Sequence, residues 1–200
     1  MPDDHDWWVV TDPTPATDAD ADHRGLTDRR DLFQLRVTLP LTARTNMGTA
    51  VETRALRPGT DDESGWINVN NRAFADHPDQ AGFTLERLHD RMAEPWFDPA
   101  GFRLHERNGR LAAFCWTKVH ADVTPTMGEI YVIGVDPDFQ GLGLGRSMTV
   151  AGLSWLADHG QRIGMLYVDA LNTRAVRLYE SLGFTRHHTD RVYSRGVADP

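Results

Sequence analysis

Val135 to Arg146 reads VDPDFQGLGLGR, with glycine at alternate positions 141, 143 and 145 where a strand pattern hands over to a helical one. The backbone N–H groups of a helix's first turn have no intrahelical partner, and the helix dipole adds partial positive charge there, so an anion is readily held. Glycine removes the Cβ atoms that would keep a phosphate oxygen away from those amides. Gln140, Gly141, Leu142, Gly143, Leu144 and Gly145 are thus candidates to cradle a phosphate, with Leu142 and Leu144 turned toward the core. Arg146 can add a charge-assisted hydrogen bond. Alone, alternate glycines equally describe a structural turn. The spacing is neither G-x-G-x-x-G nor a P-loop ending in G-K-[ST], which argues against dinucleotide-binding and ATPase readings.

The elements that must position this loop follow from hydrophobic period and punctuation. Residues 128–135, GEIYVIGV, read as a strand stopped by Pro137, and a helix runs from about Gly145 to His159. A further strand covers 164–170 and a helix 172–182, ended by Gly183. Upstream, 102–107 and 110–120 flank Asn108-Gly109 and form the clearest hairpin signal. Residues 51–57 alternate like a strand, a helix begins near Asp61, and Thr84 caps another through Leu85, Leu88 and Met92. FTRHHTDRVYSR closes the chain as a strand or hairpin. The order β-α-α-β-β-β-α-β-α-β predicts a mixed sheet with packed helices, class α/β or α+β. Residues 12–25, DPTPATDADADHRG, have no hydrophobic period and read as loop or disorder.

The 200 residues suffice for one full domain plus an extension. No run approaches the roughly 18 apolar residues of a membrane span. MPDDHDWWVV lacks the layout of a secretory signal, and a single cysteine, Cys115, fits a reducing cytoplasm. A formal charge of −8 argues against nucleic acid or an anionic membrane as partner. The nine histidines show neither HExxH nor a Cys/His zinc spacing, so no metal is expected. Cys115, mid-strand in AAFCW, reads as a buried small hydrophobe rather than an acyl carrier. Lys118 is the only lysine among 21 basic residues, the arginine bias of a GC-rich genome.

V-D-P-x-x-Q-G-x-G-x-G resembles the acetyl-CoA pyrophosphate loop of the GCN5-related N-acetyltransferases. LYVDA, Asn172, the helix carrying Tyr179 and the ending LYESLGF resemble that family's second block. Within it, NNRAFADHPDQAGFT, EPWFDPAGF, FCWTKVH and GEIYVIGVDP resemble the mycothiol synthase family, over about residues 51–195. The resemblance implies the acyl-CoA N-acyltransferase fold, a mixed, mostly antiparallel sheet with flanking helices, over residues 51–196. It also implies acetyl-CoA as co-substrate and a small amine acceptor, the cysteinyl amine of cysteinyl-glucosaminyl-inositol. The arginine-rich composition agrees, mycothiol being an actinobacterial thiol. Members of that family carry two such domains in tandem, and this chain resembles the C-terminal, catalytic one. Residues 1–50 are accordingly expected to be a remnant of a preceding domain, with strands in 7–39 and a linker over 40–50.

Direct transfer needs a neutral amine, a polarised thioester carbonyl and a proton for the leaving thiolate. Glu129 is the general-base candidate through water; a carboxylate's ordinary pKa near ~4.3 requires burial or a relay for that task. Tyr179, a phenol with pKa near ~10, is the general-acid candidate. Ile133, Gly134 and Val135 are expected to bond the pantetheine arm as an added strand would be bonded, with Gly134 keeping that face open. Asn172, Thr173, Arg174, Ala175, Val176 and Arg177 are expected to line the other wall, Asn172 also serving as N-cap. By resemblance Asp79, Lys118, Glu129 and Tyr167 contact the acceptor. Trp96 and Trp116 either line a sugar site or pack in the core. Two alternatives stay open: another amine or protein N-terminus as acceptor, or an acetyl-CoA-binding but inactive remnant.

Overall fold

The computed structural model describes residues 7–43, 50–75, 77 and 80–195. Along them run β1 (Trp7–Thr11), α1 (Pro15–His23), β2 (Asp28–Thr38), β3 (Arg54–Ala55), α2 (Asp61–Ala73), α3 (Leu85–Met92), β4 (Phe102–Arg107), β5 (Arg110–His120), β6 (Met127–Val135), α4 (Leu144–Asp158), β7 (Ile163–Asp169), α5 (Thr173–Ser181) and β8 (Thr185–Ser194). Most ladders are antiparallel and the β6–β7 pairing is parallel, so the expected mixed α/β sheet with flanking helices is present. Contacts group the chain into two compact units: Thr38–Met165, and the residues up to Val37 with those from Leu166 onward.

In the first unit, β3, β4, β5 and β6 are laid side by side in that order. Asn108 and Gly109, with φ of 53° and 71°, turn β4 into β5 as the Asn-Gly signal requires. Thr60 and Thr84 cap α2 and α3 by accepting from Asp62 and Arg87 N–H groups. Trp66 of α2 is fully buried, edge-on to Phe83, Phe102, Phe114 and Trp116. Trp116, also fully buried, is therefore a core residue. Cys115 is fully buried too, and burial pushes its thiol up to about 12, the behaviour of the small hydrophobe expected there. The strand read over 51–57 is shorter than expected, Arg54–Ala55 alone. The carbonyls of Glu52 and Thr53 accept instead from the His105 and Arg103 side chains, at 2.8 and 2.7 Å.

In the second unit β8 lies between β1 and β2, antiparallel to both, from Trp7↔Ser194 and Asp28↔Ser194 onward. The segments expected to close a preceding domain thus pair with the last strand of this one. Residues 12–25 correct the reading as loop, because α1 lies within them. Its helix carries no apolar stripe; its ends and one acidic side chain hold it. Thr14 and Thr17 form a reciprocal capping box, Pro15 opens the first turn, and Asp18 accepts from Tyr193 Oη at 2.6 Å and Arg191 Nη1 at 2.8 Å. Ala21 alone is buried, in a small cluster with Leu26 and Tyr193.

Candidate functional site

The glycine loop leaves β6 through buried Asp136, whose carboxylate accepts from the Asp138 N–H at 2.9 Å and lies 3.3 Å from Arg72. A short 3-10 turn, Pro137–Phe139, leads to Gln140. Gly141 and Gly143 then take φ of 79° and 77°, the left-handed region that disfavours any side chain. A Cβ on either would meet nothing within 4 Å, so the glycines serve the backbone turn and leave open space above it. Gly143 is the N-cap of α4 and brings no side-chain hydrogen bond. Thr14, Thr60, Thr84 and Asn172 all supply one to their helices. The first-turn N–H groups of α4 thus receive no side-chain cap from Gly143, the arrangement in which a helix start can hold an anion. One expectation is corrected: Leu144 turns inward at 4% exposure, whereas Leu142 faces solvent at 55%.

The strand feeding this loop is paired with β5 along one edge and with the start of β7 along the other. Pairing with β7 covers only Gly128↔Gly164 and Glu129↔Met165. On the β5 side, Asp136 N–H donates to Ala112 at 2.9 Å, and Phe114 stands opposite Gly134. Backbone groups alternate in direction along an antiparallel ladder, so Gly134 addresses β5 while Ile133 and Val135 point their N–H and C=O outward. An extended ligand arm is thus offered Ile133 and Val135. Gly134 also has a packing reason: a Cβ there would stand 2.6 Å from the Phe114 ring.

Glu129 owes its placement to a bulge. The register runs Trp116↔Val132 and then Thr117↔Ile130, leaving Tyr131 without an opposite residue. Gly134 faces Phe114, while Gly128 faces Leu156 of α4, although strict alternation would place both on one side. The bulge therefore turns Glu129 away from α4 and onto the face of Lys118, directly opposite it. Glu129 is 8% exposed, and His120 Nε2 lies 2.7 Å from its Oε2. The Lys118 ammonium sits over the Trp96 ring at 4.8 Å and near Tyr131 at 5.8 Å. Burial raises the Tyr131 phenol above its ordinary value. His120 and Tyr131 were missed from sequence. Lys118 and His120 share a face by simple alternation, but nothing local marks the bulge.

In the second unit, Asn172 caps α5, its Oδ1 accepting from Ala175 N–H at 3.1 Å. Thr173, Arg174, Ala175, Val176 and Arg177 form the first turns of that helix, and Tyr179 follows, 7% exposed, with its ring 5.7 Å from Phe184. Tyr167 is 42% exposed and its hydroxyl accepts from the buried Gln34 amide at 2.7 Å. Asp79 lies outside the described residues. Among the described residues no three His, Cys, Asp or Glu side chains group to hold a metal, and no helix is long and apolar enough to cross a membrane.

Outward N–H and C=O groups at Ile133 and Val135, followed by a helix start without a side-chain cap, can take an extended, anionic ligand. The model of the acetyltransferase (GNAT) family matches residues 66–184, and the chain belongs to that family. It is 52% identical over 189 residues to the mycothiol acetyltransferase of Thermomonospora curvata, covering 93% of this chain and 62% of that protein. Against the protein of the same name from Streptomyces coelicolor the identity is 50%, over 84% of this chain and 54% of that one. The chain thus spans somewhat over half the length of these curated relatives. Among solved structures, a GCN5-related N-acetyltransferase from Sphaerobacter thermophilus shares the fold, with a TM-score of 0.72, 22% identity, and coverage of 96% of this chain and 61% of that one. The ribosomal-protein-S18-alanine N-acetyltransferase of Escherichia coli has a TM-score of 0.54 at 25% identity, over 74% of this chain and 96% of its own.

Proposed function

We propose that the chain is an acetyl-CoA-dependent N-acetyltransferase whose acceptor is the cysteinyl amine of cysteinyl-glucosaminyl-inositol, the product being mycothiol. The observation that carries the chemistry is Glu129, a carboxylate 8% exposed on the strand that ends in the glycine cradle. The relatives' shared name supports the choice of acceptor.

Acetyl-CoA binds as substrate, its pyrophosphate on the amides of residues 141–146 and on Arg146. Its pantetheine arm takes the outward N–H and C=O of Ile133 and Val135. Glu129 removes a proton from the acceptor ammonium through water. The neutral amine attacks the thioester carbonyl carbon; the N–C bond forms, the C–S bond breaks, the thiolate takes a proton from Tyr179, and the second proton that the nitrogen sheds on becoming an amide passes to solvent, from which the Tyr179 phenolate is reprotonated. Lys118, Asp79 and Tyr167 hold the acceptor. The exposed, tethered ring of Tyr167 suits stacking on a sugar, and Trp96 steadies Lys118.

Incubation of the chain with acetyl-CoA and a panel of amines, beside calorimetry with acetyl-CoA, tests this reading. N-acetylation of the cysteinyl compound far ahead of the other amines supports it. Preference for another amine or a peptide N-terminus transfers the activity to that acceptor. Binding without any turnover makes the chain an inactive acetyl-CoA-binding remnant.

A further inference from the structure

Glu129 and His120 stand on adjacent strands of one unit, with His120 opposite Met127 and Glu129 opposite Lys118. A buried carboxylate needs hydrogen-bond partners, and a glutamate needs its side-chain torsions fixed before it can act at a defined point. The imidazole supplies both through the 2.7 Å contact to Oε2. The side chains are 23% and 10% exposed, so His120 reaches toward solvent while Glu129 does not. The nearest formal cation in register is drawn elsewhere, for the Lys118 ammonium rests over the Trp96 and Tyr131 rings. The imidazole N–H fixes Oε2 and leaves Oε1 free to accept.

We propose that His120 is a positioning residue for the transfer reaction: Nε2–H holds Oε2 of Glu129 so that Oε1 is presented to the acceptor amine or its water. This rests on the reading of Glu129 as general base. Trp96 and Tyr131 complete the arrangement by keeping Lys118 off the carboxylate.

The test compares His120→Gln, which keeps an N–H at the position of Nε2, with His120→Asn, whose amide reaches only the position of Nδ1. Steady-state transfer from acetyl-CoA to the cysteinyl acceptor is read alongside Glu129→Gln. His120→Gln is expected to hold kcat within about threefold, and His120→Asn to lose about tenfold or more in kcat with acceptor KM little changed. The double variant His120→Asn/Glu129→Gln should be no slower than Glu129→Gln alone, because both act through one carboxylate. Equal behaviour of the Gln and Asn variants, or additive losses in the double variant, overturns the role of His120 while leaving Glu129 as base. An unchanged kcat in Glu129→Gln, or no turnover by the wild-type chain, removes the underlying reading and this inference with it.

Discussion

Glu129 on β6 stands directly opposite Lys118 on β5 because Tyr131 is set out of the ladder between them and the core. Without that extra residue, Glu129 would project toward the α4 side, where Gly128 now meets Leu156. One inserted position thus converts a core-facing strand residue into a buried carboxylate beside a cation, an imidazole and two aromatic rings.

Replacing Glu129 by Gln keeps the shape and removes the proposed base. The expected result is a loss of about 10²-fold or more in kcat with acetyl-CoA binding unchanged. The deficit should narrow at alkaline pH, where more of the acceptor amine is already neutral in solution. Rate–pH profiles of both proteins measure this, and a constant ratio at all pH values would count against general-base action.

Gly143 sits at φ 77° as the uncapped start of α4. Alanine there is expected to cost about 1–2 kcal/mol of stability and to raise KM for acetyl-CoA severalfold, with acceptor KM little affected. Thermal melts and a two-substrate kinetic matrix separate the two effects. A selective rise in acceptor KM would misplace the cradle.

Asp62 ties β3 to α2. Hydrogen bonds from Arg54, aided by Arg57, hold its carboxyl well below the ordinary value of 3.8. A carboxylate with a depressed folded-state pKa contributes stability above its unfolded pKa and loses it as pH falls through the folded value. Stability is therefore expected to decline below about pH 4 and to do so less steeply in Asp62→Asn, by close to one proton. Denaturant midpoints between pH 2 and 6 provide the slopes (pH values chosen to bracket the ordinary carboxylate range of roughly 4).

Cys115 is fully buried, with its thiol pushed up to about 12. Thiol reagents are expected to leave it unmodified in the native protein and to react fully on unfolding. Rapid native labelling would show that β5 opens far more readily than its packing implies.

What was legible in the sequence was local. Thr84 followed by Leu85, Leu88 and Met92 announces α3, Asn108-Gly109 announces the hairpin, and the glycine loop marks the start of α4, because caps, turns and periods act over a few residues. What was not legible depends on distant partners. Helix α1 is held by Asp18 bonding Arg191 and Tyr193, 173 and 175 residues away. The bulge at Tyr131 carries no glycine or proline to announce it, so neither the orientation of Glu129 nor its contact with His120 followed from alternation. The outward direction of Ile133 and Val135, and the inward one of Gly134, likewise needed the register with β5.

Transfer is measured by following free CoA thiol from acetyl-CoA with the cysteinyl acceptor present and absent, beside mass spectrometry of the acceptor. One thiol is expected to be released per N-acetyl group formed, with dependence on acceptor and near-complete loss in Glu129→Gln. Thiol release without an N-acetylated product, or undiminished transfer in Glu129→Gln, would contradict that expectation.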